Sequence, residues 1–197
     1  RYTVTLAGVP STSENQIAQR FDALSALKTG HSKPANVAQI DRRARDDAAL
    51  LAELLRADGY YDARVDSEIE AIDDRIAVTL TIEPGPLYTF GDIRVSGLDE
   101  SGTLREAFNV NVQDSVDADD VTLAEAALKS KLANDGYPFA KVTAPDVLVD
   151  HDTRTASMEV RVETGGKRNF GQILARGEKQ PFGAKHIGRI ARFKPGE

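Results

Sequence analysis

No cysteine occurs among the 197 residues. That removes disulfide scaffolds, cysteine-ligated zinc and thiol catalysis together. Tryptophan is also absent, methionine occurs once, and histidine occurs only at His31, His151 and His186. Those three stand apart, without metal-ligand spacing, and read as surface histidines. There is no apolar run near the roughly 18 residues that a membrane-spanning helix needs. A net charge of −6 without a long basic run speaks against a nucleic-acid footprint. P-loop, GxSxG and HExxH patterns are missing, and Gly97 ends a strand pattern rather than opening a phosphate turn. No catalytic residue, cofactor or metal site is expected. The chain opens at Arg1 without methionine or a signal-like segment, so it is expected to be a mature or excised piece.

What is present is a duplication. Asp58-Gly59-Tyr60 returns as Asp135-Gly136-Tyr137, and Phe90-Gly91, Ile93 and Gly97 return as Phe170-Gly171, Ile173 and Gly177. Between these landmarks Ile76, Val78, Leu80 and Ile82 correspond to Ala156, Met158, Val160 and Val162. A repeat of this length is one small domain per copy, and an array of similar modules supplies surface and spacing more readily than one catalytic pocket.

Each copy reads as β-α-α-β-β. Tyr2–Leu6 alternates as a strand and stops at Gly8 and Pro10. Ser11 with Glu14 has the capping-box pattern, and Ile17, Phe21, Leu24 and Leu27 follow at helical spacing. Asn36 is placed to cap a second helix, with Val37, Ile40, Ala44, Ala48, Leu51 and Leu55 on one stripe. Arg42, Arg43 and Arg45, followed by Asp46 and Asp47, read as its solvated face or a docking patch. Gly59 suits the left-handed position just beyond that helix. The period then becomes two: Tyr61, Ala63, Val65 and Ile69 face one way, and Asp62, Arg64, Asp66, Glu68 and Glu70 the other. Asp73-Asp74 is turn chemistry. A last strand buries Ile76, Val78, Leu80 and Ile82 and ends at Pro84-Gly85-Pro86. The second copy repeats this order, with a short helix after Thr103 (Glu106 its capping-box partner) and a second helix capped at Asp117 or Asp119. Its strands fall around Tyr88–Ser96, Phe139–Ala144 and Ala156–Glu163. The expected fold is α+β: tandem modules at 1–85 and 86–166, each a three-stranded mixed sheet with two helices on one face, and an incomplete third at 167–197. Connection rules place the third strand of each module between the other two.

The helix exit Leu54–Val65 and the junction Glu83–Ile93 resemble the POTRA domains of the Omp85 superfamily, the modules that precede an outer-membrane β-barrel. Within it, Gly59-Tyr60-Tyr61-Asp62-Ala63 and Pro84-Gly85-Pro86-Leu87-Tyr88 most resemble the TamA subfamily. The resemblance covers the whole chain. It implies the periplasmic part of an outer-membrane protein of a Gram-negative bacterium, acting in outer-membrane protein insertion or secretion. The implied partners are a TamB-like inner-membrane-anchored protein, unfolded client polypeptides and a β-barrel of the same chain. The second junction departs from the pattern, because Thr164-Gly165-Gly166-Lys167-Arg168 lacks the prolines and aromatic that stiffen the first. Other readings of these residues stay open: the modules of a general barrel-assembly factor, or a periplasmic scaffold without a barrel.

The chemistry available to such modules is strand addition at an open sheet edge. The second strand, with Arg64, Asp66, Glu68 and Glu70 outward, and the first strand, with Tyr2, Val4 and Leu6, are the candidate partner-binding edges. Charges on an edge also protect against aggregation, so the pattern has both readings. Pro84, Gly85, Pro86, Gly165 and Gly166 mark the junctions between modules.

Overall fold

A computed structural model of the chain describes residues 2–30, 36–72 and 75–169. The first sheet has three strands: β1 (Tyr2–Ala7), β2 (Arg64–Ile72) and β3 (Arg75–Glu83), in the order β1-β3-β2. β1 runs parallel to β3, with Tyr2 opposite Ile76, and β2 runs antiparallel to it, with Arg64 opposite Glu83. The expected mixed sheet with its last strand in the middle is thus present. The reason is connective: the helices return the chain to its starting end, and β3, running back antiparallel to β2, fits between the other two strands.

Three helices cover one face: α1 (Glu14–Leu24), α2 (Ala26–Gly30) and α3 (Val37–Ala57). α3 packs on β2 and β3, and α1 and α2 pack on α3. Ile17, Phe21, Leu27, Ile40, Ala44, Leu51 and Leu55 meet Tyr2, Val78, Leu80 and Ile82 in one core. Each large side chain removed from water there contributes about 1.5–3 kcal/mol.

Four expectations need correction in these elements. The first helix does not continue through Leu27; it ends at Ser25, which is extended (φ −61°, ψ 129°), and Leu24 is 63% exposed. Ser11 and Glu14 form no capping box, since Ser13 is the N-cap residue and makes no side-chain cap bond. The Arg43–Asp47 stretch is not simply a solvated face. Asp47 is buried and caps α2, accepting hydrogen bonds from the Ser25 hydroxyl, from Ala26 N at 2.7 Å and from Leu27 N at 3.1 Å. Arg43 donates to Gly30 O at 3.2 Å. Finally, Val37 lies on the expected apolar stripe of α3 yet is 61% exposed at its first turn. The Asn36 cap forms as read, reciprocally with Gln39.

The second sheet holds β4 (Thr89–Ser96), β5 (Lys141–Val142), β6 (Asp146–Asp150) and β7 (Thr155–Glu163), ordered β4-β7-β5 with β6 also on β7. It has four strands where three were expected. The run around Phe139–Ala144 shortens to β5, and β6 follows beyond Pro145, which has no N–H to donate and disfavours regular pairing at Ala144. Two helices precede these strands, α4 (Thr103–Glu106) and α5 (Ala118–Asn134). α4 has Gly102 as N-cap and no side-chain cap bond, so the Thr103–Glu106 capping box does not form. α5 is capped by Asp117, whose Oδ1 accepts from Asp119 N at 2.8 Å and Asp120 N at 3.3 Å. Val121, Ala124, Leu128 and Leu132 form its buried stripe. Gly59 and Gly136 both sit at φ +92°, as the helix exits require.

By contact, one compact unit comprises the residues up to Ile93 with Val110–Thr122 and Asp146–Met158. The other comprises Arg94–Asn109, Leu123–Pro145 and the residues from Glu159 onward. The division runs through the second copy of the repeat. The Asp73-Asp74 turn, His31, His186 and the third copy beyond Asn169 lie outside the described residues.

Candidate docking edge

Among the described residues β2 has a neighbour only on its β3 side, so its other side offers main-chain N–H and C=O groups to a further strand. Exposure alternates along it. Arg64, Asp66, Glu68 and Glu70 are exposed, while Val65, Ser67 and Ile69 are half-buried on the helix side. The sequence-predicted edge residues are therefore brought into one row. β1 is the other edge of this sheet, but Tyr2, Val4 and Leu6 point into the core. Tyr2 is buried, with its hydroxyl donating to Leu27 O at 2.6 Å. What β1 presents outward is main chain, with Thr3 and Thr5 exposed beside it.

The approach to β2 is fixed by a three-membered polar cluster. The Tyr88 hydroxyl donates to Asp62 Oδ2 at 2.9 Å and lies 2.9 Å from His151 Nδ1, which is 3.1 Å from Asp62 Oδ1. With the hydroxyl proton directed to Asp62, Nδ1 must carry a hydrogen to serve the other two contacts. Tyr88 is fully buried, and its ring stacks at a tilt on Tyr61, with 5.3 Å between centroids. The Tyr88 hydrogen bond holds the Asp62 carboxyl below the ordinary carboxylate range, against a partial desolvation and with help from His151. Burial pushes the Tyr88 hydroxyl up, and the Asp62 hydrogen bond adds to it. His151 is thus a member of a defined cluster rather than a lone surface residue.

An ionic contact lies at the C-terminal end of α3, just before Asp62. Arg20 of α1 reaches Asp58 at 3.1 Å and also pairs with Asp119. Burial raises the Asp58 carboxyl, Arg20 opposes the shift, and Asp117 adds to it.

The junction residues occupy turns. Gly85 has φ +69° with Asp62 Cβ 3.3 Å from where its own Cβ would stand, and Pro84 and Pro86 flank it, half-buried. Gly165 and Gly166 have φ +68° and +81°. Tyr88 N donates to Gly59 O at 3.0 Å, and Arg168 N donates to Gly136 O at 2.7 Å. The repeat therefore reuses one closure, from the strand exit back to the helix exit.

Sequence reasoning missed Asp47, Asp62 and His151 as structural participants. Asp62 and Tyr88 stand in the quoted junction motifs, which was the only available signal. His151 carried none, because its partners are 63 and 89 residues away. Among the described residues no group of acidic or histidine side chains converges well enough to hold a metal ion. Nor is any described helix long and apolar enough to cross a membrane.

Residues 88–165 match the model of the POTRA family, described as "Surface antigen variable number repeat". Among solved structures, the chain is similar to POTRA3-5 of Haemophilus influenzae BamA at 20% identity and a TM-score of 0.49, covering 98% of this chain and 76% of that one. It is similar to the N-terminal domain of Omp85 from Thermosynechococcus elongatus at 14% identity and a TM-score of 0.41, with the same coverages of 98% and 76%. CdiB from Acinetobacter baumannii is similar at 10% identity and a TM-score of 0.37, over 82% of this chain and 29% of that one. No curated protein matches the sequence.

Proposed function

We propose that this chain is a periplasmic POTRA region of an Omp85-superfamily outer-membrane assembly protein, and that it works as a binding scaffold rather than an enzyme. The observation that carries the reading is the POTRA match over residues 88–165. The internal repeat extends it to the first copy, whose β-α-β-β order and mixed sheet have the same logic. The module boundaries near residues 85 and 166 belong to this proposal, as does the nearer likeness to the TamA subfamily at Gly59–Ala63 and Pro84–Tyr88. Partner and client polypeptides, including a TamB-like protein anchored in the inner membrane, add as strands to the β2 edge. Main-chain pairing suits that task, because it makes little demand on client sequence.

Proline substitution tests the edge. Successive N–H groups of a strand point to opposite sides, so one of Ser67 and Glu68 donates to β3 and the other donates outward. Of Ser67→Pro and Glu68→Pro, one is expected to lose stability. The other should keep its circular dichroism spectrum and bind a urea-diluted outer-membrane barrel protein several-fold more weakly. A variant pair in which the folded member binds as well as the unaltered chain removes β2 from the reading. Sequencing the coding region beyond Glu197 tests the wider assignment. About ten-residue alternating segments with aromatic ends are expected there, and one soluble module followed by a stop would overturn it.

A further inference from the structure

We infer that the strand taken up by the β2 edge is cationic on its solvent face, with Lys or Arg at every second position. This inference rests on the reading of β2 as a docking edge and specifies what docks there. Asp66, Glu68 and Glu70 stand in a row on the exposed parity of β2. Directly opposite them on β3 are Thr81, Thr79 and Ala77, and beyond these on β1 lie Ala7, Thr5 and Thr3. No residue directly opposite the three acids on β3, or beyond them on β1, carries a charge. Cations occur only at the ends of the register: Arg64 is opposite Glu83, and Arg75 is opposite Ile72. Among the described residues none of the three acids takes part in an ion pair, whereas Asp41, Glu53 and Glu125 on the helices each have one.

The spacing decides between kinds of cation. Alternate residues of a strand are about 6.6 Å apart, too far for three carboxylates to chelate one ion, in keeping with the absence of a metal-competent cluster among the described residues. A strand laid beside β2 has the same repeat, so its alternate side chains meet the acids one to one at cross-strand distance. The intervening side chains would fall on the helix-side face next to Val65 and Ile69, which favours apolar residues there. The recognised segment thus alternates cationic and apolar residues, and an acidic segment is repelled. The competing explanation is that the acids only discourage unwanted edge pairing.

The test uses three nine-residue peptides in which valine alternates with lysine, glutamine or glutamate, and reads binding by fluorescence anisotropy. The lysine peptide is expected to bind about tenfold more tightly than the glutamine peptide, from three cross-strand pairs. The glutamate peptide should not bind. The lysine advantage should vanish in the Asp66→Asn/Glu68→Gln/Glu70→Gln variant and in about 0.5 M salt, where surface charges are screened. Equal, salt-insensitive binding of the lysine and glutamine peptides overturns the cationic preference and leaves the edge standing. Binding of no peptide, or lysine-peptide binding that the folded proline variant does not weaken, overturns the edge reading itself.

Discussion

Two side chains show how single residues set the local course of this chain. Asp47 sits in the middle of α3, where sequence periodicity places it beside three arginines, yet it is 1% exposed and caps the next helix over. Removing it leaves the Ala26 and Leu27 amides and the Ser25 hydroxyl without their acceptor. Asp47→Ala is expected to cost about 3 kcal/mol or more, since buried donors left unpaired lose their full hydration; Asp47→Asn should cost less, and urea unfolding compares the two. Gly97 follows β4 at φ +86°, and a Cβ there would come within 1.8 Å of Val162 O. Gly8 follows β1 at φ +80° and would meet Ile82 O at 2.2 Å. Ile82 and Val162 are partners in the repeat, so the two glycines do the same job in their copies, which the sequence match of Gly97 to Gly177 did not reveal. Gly97→Ala combines backbone strain with a carbonyl clash and is expected to cost at least about 2 kcal/mol, measured as a lowered Tm.

Among the elements, β2 and β3 differ in what they leave unpaired. Among the described residues β3 has neighbours on both sides, and β2 on one. Hydrogen exchange is therefore expected to be slow throughout β3 and alternately slow and fast along β2, residue by residue. A bound client strand should slow the fast set alone; uniform protection along free β2 would mean that the edge is already covered. The break between α1 and α2 is also an element-scale matter. Ile17, Phe21, Leu24 and Leu27 have continuous helical spacing, but the bend at Ser25 turns Leu24 outward and sends Leu27 into the core. Leu24→Lys should accordingly shift stability by no more than about 0.5 kcal/mol.

For the molecule as a whole, the Asp62–Tyr88–His151 cluster ties together segments far apart in sequence within one compact unit. Tyr88→Phe keeps the buried ring and removes the hydroxyl that donates to the Asp62 carboxylate, so a lowered Tm is expected. The sign of its pH dependence follows from the lowered Asp62 carboxyl. Its contribution is present above the ordinary value of 3.8 and is lost as pH falls below that through the folded value. Acid unfolding followed between about pH 5 and 2 should be less steep in Asp62→Asn than in the unaltered chain. An identical slope in both would show that this carboxyl does not contribute.

Periodicity, capping residues and turn glycines determined by themselves that each copy runs strand, helices, then strands, together with the inward faces of Val78, Leu80 and Ile82, the Asn36 cap and the central place of β3. These are local preferences that the fold does not contradict, and the connection rules leave few ways to join them. Tertiary structure alone decided the bend at Ser25, the burial of Asp47, and the meeting of Asp62, Tyr88 and His151. Each depends on a partner supplied by a distant segment, and no spacing along the chain records which distant groups a fold will bring within 3 Å.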